Sequence, residues 1–233
     1  MGPGEAVDRW GHRTRCGSPH AGRRAKQAWE DINALAIQGV REPAFVPIIA
    51  AGRNAVSFHY NEAAGTVRDG DLVLTDVGAH WNNYPCDITR TFPANGRFTA
   101  QQKEIYSMAL KINKEMMSMI VPGKTTVDEL IEHYRRRGPE ELLEAGYISS
   151  PEEGKFCIGN TGNHRIGLDI HEVAKHRRVI EPNMVTTIEP GIYLEDLGVG
   201  VRIEDNILIT EDGYEVLSKD IIREIDDIEA MMN

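Results

Sequence analysis

"TDVGAHWNNYPCDITRTF", residues 75–92, sets Asp76 and Asp87 on two β-prone runs joined by a polar turn. Leu72, Val73, Leu74 and Val77 precede the turn, Ile88, Thr89, Thr91 and Phe92 follow it, and Trp81-Asn82-Asn83-Tyr84 lies between. Two such runs around a polar turn predict a β-hairpin. A reversal that brings His80 opposite Asn83 also brings Asp76 directly opposite Asp87. Facing carboxylates repel each other, and apolar surroundings raise the cost further.

The arrangement recurs near the other end of the chain. Glu189 in "TTIEPGIYL" and Glu204 in "VRIEDNILIT" flank the turn "EDLG", and a reversal centred between Asp196 and Leu197 sets them opposite each other. A one-residue slip, which Pro190, Gly198 and Gly200 allow through bulges, would turn each side chain over. Arg90 follows Asp87 by three residues and Arg202 precedes Glu204 by two, an echo that suggests an internal duplication. Any one of the four acids reads as a surface group on an edge strand. Two opposed pairs call for a cation between them.

An imidazole would add affinity for transition metals to such an oxygen-rich site. Of eight histidines, His12 and His20 fall in the N-terminal stretch, His133 on a predicted helix and His176 in the basic run "AKHRR", all solvated positions. His164 and His171 in "GNTGNHRIGLDIHEV" have glycines around them that let backbone approach a ligand. Their spacing fits one face of a helix or opposite faces of a strand and does not choose. His59 in "SFHYNE" reads as a strand residue, equally well a core histidine.

The bulk properties limit the alternatives. A chain of 233 residues with 41% apolar and 27% charged residues can bury one substantial core. A net charge of −10 argues against a nucleic-acid partner bound through phosphate attraction. Three cysteines without a CxxC spacing indicate neither a disulfide framework nor a thiolate zinc site, and fit a reducing, cytoplasmic setting. No apolar run reaches the roughly 18–20 residues of a membrane helix. Residues 1–26 carry six Arg or Lys against two acids and no apolar period, so residues 1–24 are expected to be a tail. Further elements are a helix in "AKQAWEDINALAIQ", a strand in "FVPIIAA", a Met-striped helix capped by Thr99 and Gln102, a helix from Thr126 to "HYRRRG", a third around "PEELLEAG" or Ser150, and strands over the last third.

The ordered set Asp76, Asp87, His164, Glu189, Glu204 resembles the pita-bread metallopeptidases, and "FHYNE", "DGDLVLTDVG", "CDITRTFPANGRFT", "GLDIHE", "TIEPGIY" and "RIEDN" resemble their aminopeptidase P and prolidase branch. The resemblance covers about residues 40–225. It implies an α+β pita-bread fold: a curved antiparallel sheet of two pseudo-symmetric halves with helices on the outer face. The catalytic domain would run over 25–233, with the family's N-terminal domain absent. It implies two divalent ions, Mn2+ foremost with Co2+ or Zn2+ as options, bridged by Asp87 and Glu204, with Asp76 completing one and His164 and Glu189 the other. Glu189 would move protons, His59 and His171 would contact the scissile amide, and Arg202 would orient the acids. The implied activity is exopeptidase cleavage of peptides with proline second. Prolidase action on dipeptides, a metal-free creatinase-like reaction and a non-catalytic peptide-binding subunit are the rivals, and a homodimer is one option for assembly. Two positions depart from the pattern: Asn160 stands where a histidine is usual, and Arg165 where an aromatic or Gly-like residue is common.

Overall fold

The computed structural model describes residues 43–62, 64–172 and 178–232. The tail expected over 1–24 and the helix expected over 25–38 lie outside the described residues. Strands β1 (Ile48–Ala51), β2 (Leu72–Val77) and β5 (Ile88–Pro93) form an antiparallel sheet in the order β1-β2-β5. Strands β3 (His80–Trp81) and β4 (Tyr84–Pro85) extend the β2–β5 hairpin to its tip. A second antiparallel sheet has the order β11-β10-β7-β6, built from β6 (Arg165–Ile166), β7 (Val185–Ile188), β10 (Asp205–Ile209) and β11 (Tyr214–Val216). Between β7 and β10 in sequence, β8 (Gly191–Leu194) and β9 (Val199–Arg202) pair as a further ribbon.

Helices α1 (Ala100–Ser118), α2 (Val127–Glu144) and α3 (Ile225–Met232) complete the described elements used below. The predicted capping boxes form: Thr99 accepts from Gln102 N–H while the Gln102 side chain accepts from Thr99 N–H, and Thr126 and Glu129 do the same. The α1 stripe Ile105, Met108, Ala109, Ile112 and Met116 is buried. It packs on Ile192, Val201 and Ile203 in one cluster and on Ile188, Ile207 and Ile209 in another. Each fully buried Ile or Met of this kind contributes about 1.5–3 kcal/mol. Because Ile188 and Ile203 point toward the helix, strand alternation turns Glu189 and Glu204 to the opposite face. An α+β architecture with antiparallel sheets and helices against one face agrees with expectation.

Three local expectations fail. Asp76 does not face Asp87: the register pairs Asp76 with Thr89 and Trp81 with Tyr84. The reversal is a two-residue turn at Asn82 (φ 49°) and Asn83 (φ 65°), the doubly left-handed turn that matches strand twist and that Asn tolerates. Pairing therefore shifts by two residues, which leaves both aspartates on one face as diagonal neighbours. Helix α2 does not end at the arginine run but continues through Gly138 and Pro139 to Glu144. Gly138 and Pro139 are buried against Ile158 and Gly154, and Arg136–Glu140 and Arg137–Glu141 ion pairs span the junction. The segment with His59 is not a strand, because a 3-10 turn at Gly52–Val56 carries the chain away after β1 and leaves His59 exposed.

Candidate metal centre

The two acid pairs reach one place by different routes. In the second hairpin, Ile188 pairs with Asp205 and Gly191 with Arg202, so Glu189 and Glu204 stand opposite each other as their spacing predicts. There the ladder opens: Glu189 N–H donates to Gly162 O at 2.8 Å, and Glu204 N–H donates to Thr89 O at 3.0 Å. The second bond ties the two halves together beside Asp76 and Asp87. His164, just before β6, lies beside these acids. Its Nε2 is 3.3 Å from Asp87 Oδ2, 3.7 Å from Glu189 Oε1 and 4.0 Å from Glu204 Oε1.

Ligand atoms of Asp76, Asp87 and Glu204 lie within 4.8 Å of one another, as do those of His164, Glu189 and Glu204 and those of Asp87, His164 and His171. Asp76 Oδ1, Asp87 Oδ1 and Glu204 Oε1 are buried without a hydrogen-bond partner among the described residues. Orphaned carboxylate oxygens carry a heavy desolvation cost, which a divalent cation removes. Burial first, and then Glu204, Asp76 and Glu189, push the Asp87 carboxyl well above its usual pKa. Burial does the same to Glu204, reinforced by Glu189 and Asp76. Glu189 is raised to about 7 by burial, against the pull of Arg202. Burial and neighbouring His171 hold His164 down at about 4, leaving an unprotonated ring able to ligate. The residues present fit a site for divalent cations.

Arg202 is buried at the edge of this cage. It donates from Nη2 to Asp76 Oδ2 at 2.5 Å, from Nε to Thr89 Oγ1 at 3.0 Å, and from Nη1 to the Tyr193 hydroxyl at 3.0 Å and Phe58 O at 3.2 Å. Burial works against its charge, but Tyr193, Asp76, Glu189 and Glu204 outweigh that and raise its pKa. Thr89 passes the ordering on by donating to Glu204 Oε2 at 2.7 Å. His171 reaches the cage from the loop after β6, its ring 4.5 Å from that of His164. His59 stacks edge-on with Phe58 at 4.5 Å, and its pKa is lowered by partial desolvation of its inner side and by Arg202. Asn160 is exposed, and its carbonyl accepts from Arg135 Nε and Nη2. Arg165 lies on the edge strand opposite Thr186, with Nε 2.8 Å from Glu172 Oε2.

Sequence reasoning missed several residues that shape the site. Besides Thr89 and Tyr193, Asn206 grips the backbone of Asp87, accepting from its N–H at 3.1 Å and donating to its C=O. Tyr134 of α2 donates to Gly191 O at 2.5 Å and accepts from Gly159 N–H at 2.6 Å, joining the Glu189 strand to the loop before His164. Arg90 and Arg223 flank the fully buried Asp205, each at 2.6 Å. Apart from Tyr193 and Arg202, nine residues apart, these contacts span 18 to 119 residues of sequence, so no local pattern announces them.

Metallopeptidase family M24 matches residues 5–211. A Xaa-Pro aminopeptidase of Haemophilus influenzae is 39% identical over 216 residues, covering 83% of this chain and 49% of that protein. Pseudomonas aeruginosa aminopeptidase PepP superposes with a TM-score of 0.90 at 34% identity, over 99% of this chain and 57% of that one. Aminopeptidase P from E. coli, solved with the inhibitor Pro-Leu, gives 0.89 at 33% identity, over 99% and 56%. This chain spans about half the length of the curated relatives it matches. The fold is the pita-bread fold of those aminopeptidase P structures. With sequence and fold in agreement, the chain belongs to metallopeptidase family M24.

Proposed function

We propose that residues 25–233 form the catalytic domain of a dinuclear-metal exopeptidase that hydrolyses Xaa-Pro bonds as aminopeptidase P does. The observation that carries this reading is the set of three orphaned carboxylate oxygens at the meeting point of overlapping ligand groups. Glu204, Asp87 and His164 each belong to two of those groups, but only a carboxylate has two oxygens to offer, which supports Asp87 and Glu204 as the residues that two ions would share. Asp76 then completes one position, and His164 and Glu189 the other. Mn2+ is the first candidate, with Co2+ or Zn2+ as alternatives for an oxygen-rich site with one imidazole. When bound, the ions supply Lewis acidity toward the scissile carbonyl and the attacking water.

The chain's own groups do the rest. Glu189, whose Oε1 is 3.4 Å from the Thr187 hydroxyl, takes the proton of the attacking water and returns it to the leaving imino nitrogen. His59 and His171 bind the scissile amide from the open side of the cage, and Arg202 fixes Asp76 directly and Glu204 through Thr89. The substrate class is a peptide with proline second, and the proposed setting is the cytoplasm. Metal analysis and a panel of Xaa-Pro dipeptides and longer peptides test this, with Asp87→Asn as control. Metal-dependent release of the first residue from longer peptides is expected, whereas preference for dipeptides identifies a prolidase. Asn160, in place of the usual histidine, favours a second reading as a peptide-binding subunit. Tight binding of Xaa-Pro peptides without cleavage by folded, metal-loaded protein would establish that reading and refute catalysis.

A further inference from the structure

We propose that Asn113 of α1 is a positioning residue for the cage: from behind the sheet, its amide holds the two backbone segments that carry Glu189 and Glu204. The inference rests on the two-cation reading above.

Asn113 is completely buried in mid-helix, between the core residues Ile112 and Met116. Asparagine is a poor residue for a helix interior, and a buried amide is costly unless bonded. Its Nδ2 donates to Ile188 O at 3.1 Å and to Ile203 O at 3.3 Å. These residues immediately precede Glu189 and Glu204. Its Oδ1 accepts from Arg223 Nη1 at 3.3 Å, and the same nitrogen lies 2.6 Å from Oδ2 of Asp205, the residue after Glu204.

The amide meets the sheet where the strands part. Strand β7 ends at Ile188 and β8 begins at Gly191, while β9 ends at Arg202 and β10 begins at Asp205. Across that gap the N–H groups of Glu189 and Glu204 turn to Gly162 and Thr89. Two facing carboxylates repel and tend to widen the opening. Among the described residues, only a long bond from Ile203 N–H to Pro190 O, 3.4 Å, crosses the opening directly, and a single donor group reaching both carbonyls from a rigid helix sets its width from behind. An apolar side chain of the same size would fill the space without setting the spacing.

Cobalt(II) titration of folded protein, read by calorimetry and by visible d–d absorption, tests this assignment. Wild-type protein should bind Co2+, and Asn113→Leu should bind it about 10- to 100-fold more weakly, as when partners of metal ligands are lost. Its d–d bands should shift as the carboxylates move. Asn113→Ser, whose shorter side chain reaches neither carbonyl, should weaken Co2+ binding likewise, and it decides the matter should the Leu variant not fold. Variants with a lower melting temperature but wild-type Co2+ affinity and spectrum would overturn the positioning role while leaving the two-cation reading standing. Absence of Co2+ binding by the wild type would overturn both.

Discussion

The two acid-bearing hairpins solve one problem in opposite ways. In the first, the ladder stays in register, and Asp76 and Asp87 become diagonal neighbours on one face, with Thr89 rather than an acid opposite Asp76. In the second, Glu189 and Glu204 do stand opposite each other, and the ladder opens to accommodate them. The first pair is held from within the sheet, by Arg202 on Asp76 and by the Asn206 grip on Asp87, and its Thr89 reaches across to Glu204 of the second. The second is held from the helices, through Asn113 and Tyr134. Like charges can thus share a site if their spacing is set by groups that do not themselves ligate.

Removing Arg202 attacks the element the hairpins share and should have the largest effect. Arg202→Met leaves Asp76, Thr89 and Tyr193 without their buried partner, and breaking such a pair costs about 3–5 kcal/mol. A urea midpoint shift measures it, and a loss below about 1 kcal/mol would show that the second half stands without this tie.

Next comes the charge stored in the cage. Without cations, the raised pKa of Glu189, near 7 against 4.5 ordinarily, means that the folded state keeps a proton the unfolded chain has released. Its contribution is present below about pH 4.5 and lost as pH rises through 7, by about 3 kcal/mol at most. The raised carboxyls of Asp87 and Glu204 act in the same direction. The lowered pKa of His164 acts oppositely, gaining stability between pH 4 and 6.5. The melting temperature of chelator-treated protein should therefore decline toward neutral pH, three acids outweighing the two imidazoles of His164 and His59, and divalent cations should abolish the decline.

Smaller effects separate the hairpins. Thr89→Val keeps the shape but deprives Arg202 Nε and Glu204 Oε2 of their partner, at a cost of about 1–3 kcal/mol. Asn83→Val forces a β-branched residue to φ 65° and should cost about 1–2 kcal/mol, while Asn83→Gly should be tolerated. Equal stability of the Val and Gly variants would contradict the two-residue turn and, with it, the diagonal placement of the aspartates.

Features read from sequence succeed where the cause is local. The capping boxes depend on residues three apart, and the Glu189–Glu204 register follows from one short turn. The first register differs from expectation because the reversal is centred not between Trp81 and Asn82 but between Asn82 and Asn83, where paired Asn tolerates the φ above zero that a two-residue turn needs. Gly138-Pro139 looks like a helix stop, and only packing against Ile158 and Gly154 keeps the helix going. The five proposed ligands were legible through the family resemblance, and the structure brings their side chains together. What fixes them, from Asn113 to Asn206, is a web of bonds from single side chains to distant backbone that leaves no periodic trace.

The most direct test of the account is the number of Mn2+ ions held per folded chain, by equilibrium dialysis with elemental analysis, for wild type and Asp87→Asn. Two ions in the wild type, with weakened binding of both in the variant, is the result a bridging Asp87 predicts. A wild type that holds none, or a variant that binds as the wild type does, would contradict it.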